Sequence, residues 1–246
     1  MRADLEFAHS LADAADAITL GRFRALDLRV ETKPDLSPVS EADRAAEEKI
    51  RSLVAASSRG EGVLGEEFGD DGGDAKWIVD PIDGTMNYVR GVPVWATLLA
   101  LVRGGEPVVS LVSAPALGRR WWASRGEGCF LNGDPCRVSA VARVEDCVVS
   151  TTSARGMPAG WAQIVERAWS NRGFGDFWQH CLVAEGAIDV ACDSVMNVWD
   201  YVPVQLLVEE AGGRCTTYEG DPPAQGTSFV ATNARVHDEV VSLLGV

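Results

Sequence analysis

The run Trp77-Ile78-Val79-Asp80-Pro81-Ile82-Asp83-Gly84-Thr85 constrains this chain more than any other segment. Lys76 to Asp80 reads as a buried strand that ends in a carboxylate. Pro81 turns the chain, and Asp83 follows three residues after Asp80. Two carboxylates on one tight turn can converge on a hard cation such as Mg²⁺, which takes oxygen ligands. Gly84 permits close backbone approach, and Thr85 offers a hydroxyl and a backbone N–H. If a helical turn begins there, its free N–H groups form a cradle for phosphate. The bland alternative is a strand end followed by an Asx-type turn.

Composition sets the outer limits. The 246 residues include 22 Lys+Arg against 36 Asp+Glu, a net charge of −14, and are 46% hydrophobic. That fits a globular chain with a sizeable core, in one large domain or two small ones. The acidity argues against nucleic acid and anionic membranes as partners, since both need a positive surface. It leaves open plain solubility for most acidic residues and a cation site for some. The longest apolar stretch, Val92 to Val102, is too short to span a bilayer. The opening residues, Met1 to Glu6, lack the apolar core of a signal peptide, so the expected compartment is the cytoplasm. The cysteines (129, 136, 147, 181, 192 and 215) include no Cys-x-x-Cys pair. In a reducing compartment they read as small buried hydrophobes.

Along the chain, apolar spacing predicts helices over Leu5 to Ala25, Glu41 to Ser57 behind an N-cap at Ser40, Pro158 to Trp169, Trp178 to Ala187, Tyr201 to Ala211, and from Val236 onward. Strands are expected at Leu28 to Thr32, Lys76 to Asp80, Val94 to Val102, Val108 to Ala114, Arg120 to Ser124, Gly128 to Leu131, Cys147 to Thr151 and Ala187 to Cys192. Lys33 to Pro38 reads as a loop. With no repeat, low-complexity tract or long linker, the pattern predicts a layered α/β or α+β fold.

Three further acidic positions stand out: Glu66-Glu67 between Gly65 and Phe68, Trp199-Asp200 at the entry of a helix containing Pro203, and Asp43 in the helix after Ser40. Taken singly they read as a solvated loop, a helix N-cap and an exposed charge. Several other ways of handling a phosphate group find no residues here. No cysteine has Arg six positions on, Asp80-x-x-Asp83 is not Asp-x-Asp, and three histidines are too few for a histidine-rich metal centre. Gly60-x-Gly62-x-x-Gly65 formally matches a dinucleotide fingerprint, but it follows no clear strand and leads into the acidic loop.

As a set, Gly65-Glu66-Glu67, Asp80-Pro81-Ile82-Asp83-Gly84-Thr85, and Trp199-Asp200 with Glu210-Ala211-Gly212-Gly213 resemble the signatures of the inositol monophosphatase superfamily. Their order and spacing agree as well, and the resemblance covers essentially the whole chain. It implies an αβαβα layered sandwich in a single 1–246 domain. Residues 1–145 would carry most metal ligands and 146–246 the substrate-selecting segment. It further implies a Mg²⁺-dependent phosphate monoester hydrolase, commonly a homodimer. Glu66, Asp80 and the Ile82 carbonyl would hold one Mg²⁺; Asp80, Asp83 and Asp200 a second; a third ion would sit near Glu66 through water. Thr85 would hydrogen-bond the attacking water, supported by Asp43, where Ser40 stands in place of the family's threonine. The Gly84 and Thr85 N–H groups would bind phosphate. Trp121-Trp122 is a candidate for an interface, with a core reading as the alternative.

Substrate choice is expected to lie just before Asp200. Inositol-specific members carry a glutamate seven residues before the motif aspartate, and here that position is Asp193. Arg172 to Trp178, Leu182 to Gly186, and Arg22-Phe23 with Lys33-Pro34-Asp35 resemble the histidinol-phosphatase branch of the family. Histidinol phosphate carries an ammonium and an imidazole, for which Asp176, Asp193 and Asn197 would supply anions and an amide. For Asp176 the plain alternative is a helix N-cap, for Asp193 a turn residue, and His180 reads as a packed helix residue. Inositol-1-monophosphatase is the alternative enzyme, and a non-catalytic metal or phospholigand binding protein the alternative class.

Overall fold

In the computed structural model, which describes residues 2–34 and 36–245, the chain stacks helices and sheets in five alternating layers. The first sheet contains β3 (Gly62–Gly65), β4 (Gly69–Asp70), β5 (Ala75–Asp83), β6 (Ala96–Arg103), β7 (Glu106–Ala114), β8 (Arg119–Ser124), β9 (Gly128–Leu131) and β10 (Asp134–Cys136), in the order β10-β9-β8-β7-β6-β5-β3-β4. The second contains β11 (Val148–Thr151), β12 (Ser170–Arg172), β13 (Val190–Met196), β14 (Arg214–Thr216) and β15 (Thr227–Thr232), in the order β12-β11-β13-β15-β14. A small ribbon pairs β1 (Val30–Thr32) with β2 (Pro38–Ser40). Asp35, in its connecting loop, lies outside the described residues.

The layers follow from where apolar side chains fall. Helices α1 (Arg2–Arg22) and α2 (Glu41–Ala56) cover one face of the first sheet, with Leu11 and Ile50 in one core with Trp77, Val79 and Leu99. Between the sheets lie α5 (Asp176–Ala184) and α6 (Val198–Glu210). Val183 and Leu207 share their core with Leu98 and Trp121 of the first sheet and Ala191 and Phe229 of the second. Helices α4 (Ala159–Arg167) and α7 (His237–Leu244) close the outer face, Ile164 and Val240 packing with Val149, Val190 and Val230. The short α3 (Thr85–Val89) follows β5 directly. This is the expected αβαβα sandwich. Central strands such as β5 are buried on both faces, which is why they read as continuous apolar runs.

Several elements depart from the sequence expectation. Gly62–Gly65 is a strand, and two of its residues are glycines because neighbours press on the backbone. A Cβ at Gly62 would lie 2.0 Å from the Gly72 carbonyl oxygen, and one at Gly65 2.1 Å from a Glu47 carboxylate oxygen. Helix α6 starts at Val198 rather than Tyr201, with Asn197 as its N-cap and Asp200 as the partner in a capping box. Strands β5 and β13 both run past their expected ends, and both extensions enter the site. Trp121 is a core residue, and its indole N–H donates to Glu185 at 2.8 Å. The six cysteines are buried and unpaired, as expected.

Candidate active site

On a regular strand, residues three apart face opposite sides. Asp80 and Asp83 escape this because β5 is bulged. Asp80 lies opposite Leu98 and Asp83 opposite Ala96, a three-residue advance against two on β6. The extra residue brings both aspartates to one end of the strand. Carboxylate oxygens of Asp80, Asp83 and Asp200 lie within 4.8 Å of one another. The Asx-type turn is present too, since Asp80 Oδ1 accepts from the Ile82 N–H at 2.9 Å. The turn and the convergence coexist.

Asp200 comes from the first turn of α6, where the backbone N–H of Asn197 and its side-chain amide donate to Oδ2 at 3.0 and 3.2 Å. Asp83 is anchored from the other side of the cleft, its Oδ2 accepting from the Phe177 N–H at 2.6 Å. Burial, reinforced by neighbouring carboxylates, pushes Asp80 and Asp83 well above the usual carboxylate range. Burial also pushes Asp200 up to about 6. Such a cluster is relieved by a multivalent cation, and an all-oxygen donor set suits Mg²⁺ rather than a soft metal.

Asp43, fully buried on α2, receives the Ser40 N–H at 2.8 Å and the Ser40 hydroxyl at 2.5 Å on Oδ2. Its Oδ1 lies 3.2 Å from the Thr85 hydroxyl, which also lies 2.9 Å from the Ile82 carbonyl oxygen. One hydroxyl hydrogen serves one of these acceptors at a time. Burial raises the Asp43 pKa to about 6. Gly84 caps α3 at φ 80°, and a Cβ there would lie 3.0 Å from the Val94 carbonyl oxygen, so no larger residue fits.

Glu66 and Glu67 sit on the turn after β3. The Lys33 ammonium donates to both, at 2.7 Å each. Burial works against that charge, but the two carboxylates outweigh it and raise its pKa. Below the turn, the buried Glu47 accepts from the Glu67 and Phe68 N–H groups at 2.8 and 3.2 Å. Neither Lys33 nor Glu47 was legible as part of the site. Lys33 is one lysine in a proline-rich loop, and Glu47 looks like any charged helix residue.

The second sheet closes the cleft. Asp193 lies opposite Phe229 and Met196 opposite Thr227, so β13 carries its own bulge where it borders the site. Asp83, Asp176, Asp193, Ser194, Val195 and Asp200 are among the residues lining a cleft of about 210 Å³. Asp193 is therefore a strand residue rather than a turn residue. Asp176 opens α5 at φ 47°, its N–H donating to the Thr152 hydroxyl at 2.9 Å and its Oδ2 accepting from the Asn87 amide at 3.0 Å. Burial, with the Asp193 charge adding to it, raises its pKa to about 6. Asn197 is not among the residues lining this cleft, and its amide is shared between Asp200 and Gln225.

Relatives reproduce this architecture. The profile of the Inositol monophosphatase family matches residues 1–244. A histidinol-phosphatase of Mycobacterium tuberculosis is 48% identical over 98% of this chain and 97% of its own length. One from Chlorobaculum parvum is 38% identical over 100% and 98%. Among solved structures, an IMPase of Thermotoga maritima superposes with a TM-score of 0.91 at 32% identity, over 98% of this chain and 96% of that one. A match of this length, on an acid-lined cleft between two sheets, places the chain in the inositol monophosphatase family as a phosphoric monoester hydrolase.

Proposed function

We propose that the chain is a Mg²⁺-dependent histidinol-phosphatase, hydrolysing L-histidinol phosphate to L-histidinol and phosphate in histidine biosynthesis. The observation that carries the substrate is the pair of extra carboxylates, Asp176 and Asp193, lining the same cleft as Asp83 and Asp200. A substrate with an ammonium and an imidazole is rewarded by such a pair, and a neutral polyol is not. The whole-length likeness to proteins named histidinol-phosphatase points the same way.

In this reading Glu66, Asp80 and the Ile82 carbonyl hold one Mg²⁺, and Asp80, Asp83 and Asp200 a second, with a third near Glu66. Bound Mg²⁺ supplies charge neutralisation for the phosphate dianion, a water of lowered pKa and stabilisation of the leaving alkoxide. Thr85 orients the attacking water through its hydroxyl. Asp43 backs that hydroxyl, and with a pKa near 6 it is ionised at neutral pH and able to take up a proton. The Gly84 and Thr85 N–H groups bind phosphate. Asp176 and Asp193 select the leaving group; Asn197, expected to join them, does not line the cleft, and its amide holds Asp200 instead. No protein nucleophile is used.

The whole 1–246 chain acts as one unit, residues 1–145 supplying most metal ligands and 146–246 the selecting segment. We place it in the cytoplasm as a homodimer. Among the described residues no helix is long and apolar enough to cross a membrane, and Trp169 is 75% exposed, the kind of side chain a second copy would cover. Light scattering of the purified protein tests the oligomeric state.

The deciding experiment is phosphate release with Mg²⁺ from L-histidinol phosphate, inositol 1-phosphate, fructose 1,6-bisphosphate and 3′-phosphoadenosine 5′-phosphate. The highest kcat/KM is expected for L-histidinol phosphate. A higher value for inositol 1-phosphate would establish the inositol-1-monophosphatase reading, which the likeness to the Thermotoga IMPase keeps in view. Mg²⁺ binding without turnover of any of the four would indicate a binding protein.

A further inference from the structure

We infer that Gln179 and His180 are positioning residues that fix the Asp193 carboxylate toward the cleft and thereby set a preference for substrates carrying a cationic group. The inference rests on the proposed role of Asp193 in selecting the leaving group.

Both side chains are fully buried on α5, facing β13. The Gln179 amide has one orientation. The Ser150 hydroxyl donates to its Oε1 at 2.7 Å, and that hydroxyl oxygen accepts the Phe174 N–H at 3.2 Å. Its Nε2 is thereby turned to Asp193 Oδ2, at 2.6 Å, with the Thr152 hydroxyl oxygen 3.2 Å away. His180 Nε2 lies 2.9 Å from the same Oδ2. The imidazole meets the Phe229 ring edge-on, centroids 5.1 Å apart at 79°, and Phe229 is the register partner of Asp193. The ring is thus held from β15, the strand paired with the one that carries the carboxylate. Asp193 Oδ1 takes the Thr152 N–H at 3.2 Å.

A carboxylate offers about four acceptor positions, and these three donors leave about one for a ligand. The Asp193 side chain keeps 12% of its surface exposed, and Asp193 lines the cleft. Thr152 joins this arrangement to the second carboxylate, because its hydroxyl oxygen also accepts the Asp176 N–H. With Nε2–H given to Asp193, His180 Nδ1 is left buried without a partner among the described residues. An aliphatic side chain would fill the space without that penalty. What the imidazole contributes beyond packing is its bond to Asp193.

The test compares wild type, His180→Leu, Gln179→Met and His180→Gln at saturating Mg²⁺, with L-histidinol phosphate and with the neutral-headed inositol 1-phosphate. Loss of a charge-assisted donor is expected to raise KM for L-histidinol phosphate about tenfold in the first two variants. Their kcat, their KM for inositol 1-phosphate and their Mg²⁺ activation constant should stay within about threefold of wild type, a spread of ~0.6 kcal/mol. His180→Gln, which keeps a donor, should recover most of the loss. Equal KM rises for both substrates, a parallel fall in kcat, or an unchanged preference would overturn the inference. If His180→Leu fails to fold by circular dichroism, Gln179→Met carries the same comparison. A wild type with no preference for L-histidinol phosphate would overturn the proposed substrate as well, whereas a wild-type preference that survives both variants overturns only this inference.

Discussion

Asp83→Asn separates the electrostatic and the structural roles of the acidic cluster. The asparagine carbonyl can still accept the Phe177 N–H that Asp83 Oδ2 takes at 2.6 Å, so the link between β5 and α5 survives. What disappears is one negative charge within 4.8 Å of carboxylate oxygens on Asp80 and Asp200. Two full charges at that spacing repel by ~3.5 kcal/mol at an effective dielectric of 20. The raised pKa values of Asp80 and Asp83 mean that protons already relieve part of it. The metal-free variant should therefore be more stable than wild type by ~1–3 kcal/mol. A domain of this size gains ~2–4 °C in Tm per kcal/mol.

The same change should remove the response to Mg²⁺. Ligand at a hundred times its Kd stabilises a protein by ~2.7 kcal/mol, so wild type should gain ~5–10 °C on Mg²⁺ addition. Asp83→Asn should gain little, and its kcat/KM should fall by at least ~10²-fold, because the metal supplies several kcal/mol at the transition state. Thermal melts with and without Mg²⁺, beside phosphate release, read all three signs. A variant that keeps the Mg²⁺-induced shift and near-normal activity would refute the metal assignment. One that is destabilised without metal would refute the view of the cluster as a set of repelling charges.

Three more outcomes are expected. Gly65→Ala places a methyl group 2.1 Å from a Glu47 carboxylate oxygen and should cost ~1–3 kcal/mol in urea unfolding. It should also raise the Mg²⁺ activation constant, since Glu47 holds the turn bearing Glu66. Protons compete with Mg²⁺ for Asp200, with a pKa near 6, and for the more strongly raised Asp80 and Asp83. The activation constant should therefore climb as pH falls from 7 towards 5.5, with protons released on Mg²⁺ binding in calorimetry. His237, buried between the Thr216 and Thr232 hydroxyls at 3.0 and 2.9 Å, has its pKa pushed down to about 4, mainly by burial. The unfolded chain then protonates first. Stability is full above about 6.5 and falls as pH drops towards 4, by up to ~3 kcal/mol. His237→Gln should flatten that part of the urea-stability profile.

How much of this was legible depends on how local the cause is. The strand leading into Asp80, the N-cap at Ser40 and the Asx turn that Asp80 closes on Ile82 each follow from a few adjacent residues, whereas the chain does not end its strand at Pro81 but runs through it to Asp83. The bulges do not follow so locally. Nothing in Asp80-Pro81-Ile82-Asp83 reveals that β6 opposes those four residues with three, because register belongs to the pair of strands. The same holds for Asp193, which alternation alone leaves as a strand end or a turn. Gln179 and His180 did leave a trace. Helix α5 is buried nearly all round, and two adjacent polar residues inside it need buried partners. The trace says that a partner exists, not that it is a cleft carboxylate on the next strand.

The two bulges divide the work of the site between the two sheets. The bulge on β5 gathers Asp80 and Asp83 where a phosphate and its cations would meet, on a sheet stiffened by α1 and α2 behind it. The bulge on β13 turns Ser194 and Val195 to the same cleft beside Asp193, on a different sheet that is backed on its outer face by the core under α4 and α7. Helix α5 joins them, with its Phe177 N–H on Asp83 and its Gln179 and His180 on Asp193. On the proposed function, changes on β13 would alter which leaving group is read while the β5 acids stay in place. The arrangement also explains how a chain of charge −14 can act on an anion. The acids at the β5 end repel phosphate until cations reverse their sign, and in the proposed function Asp176 and Asp193 would favour a substrate that is positive at the end remote from its phosphate.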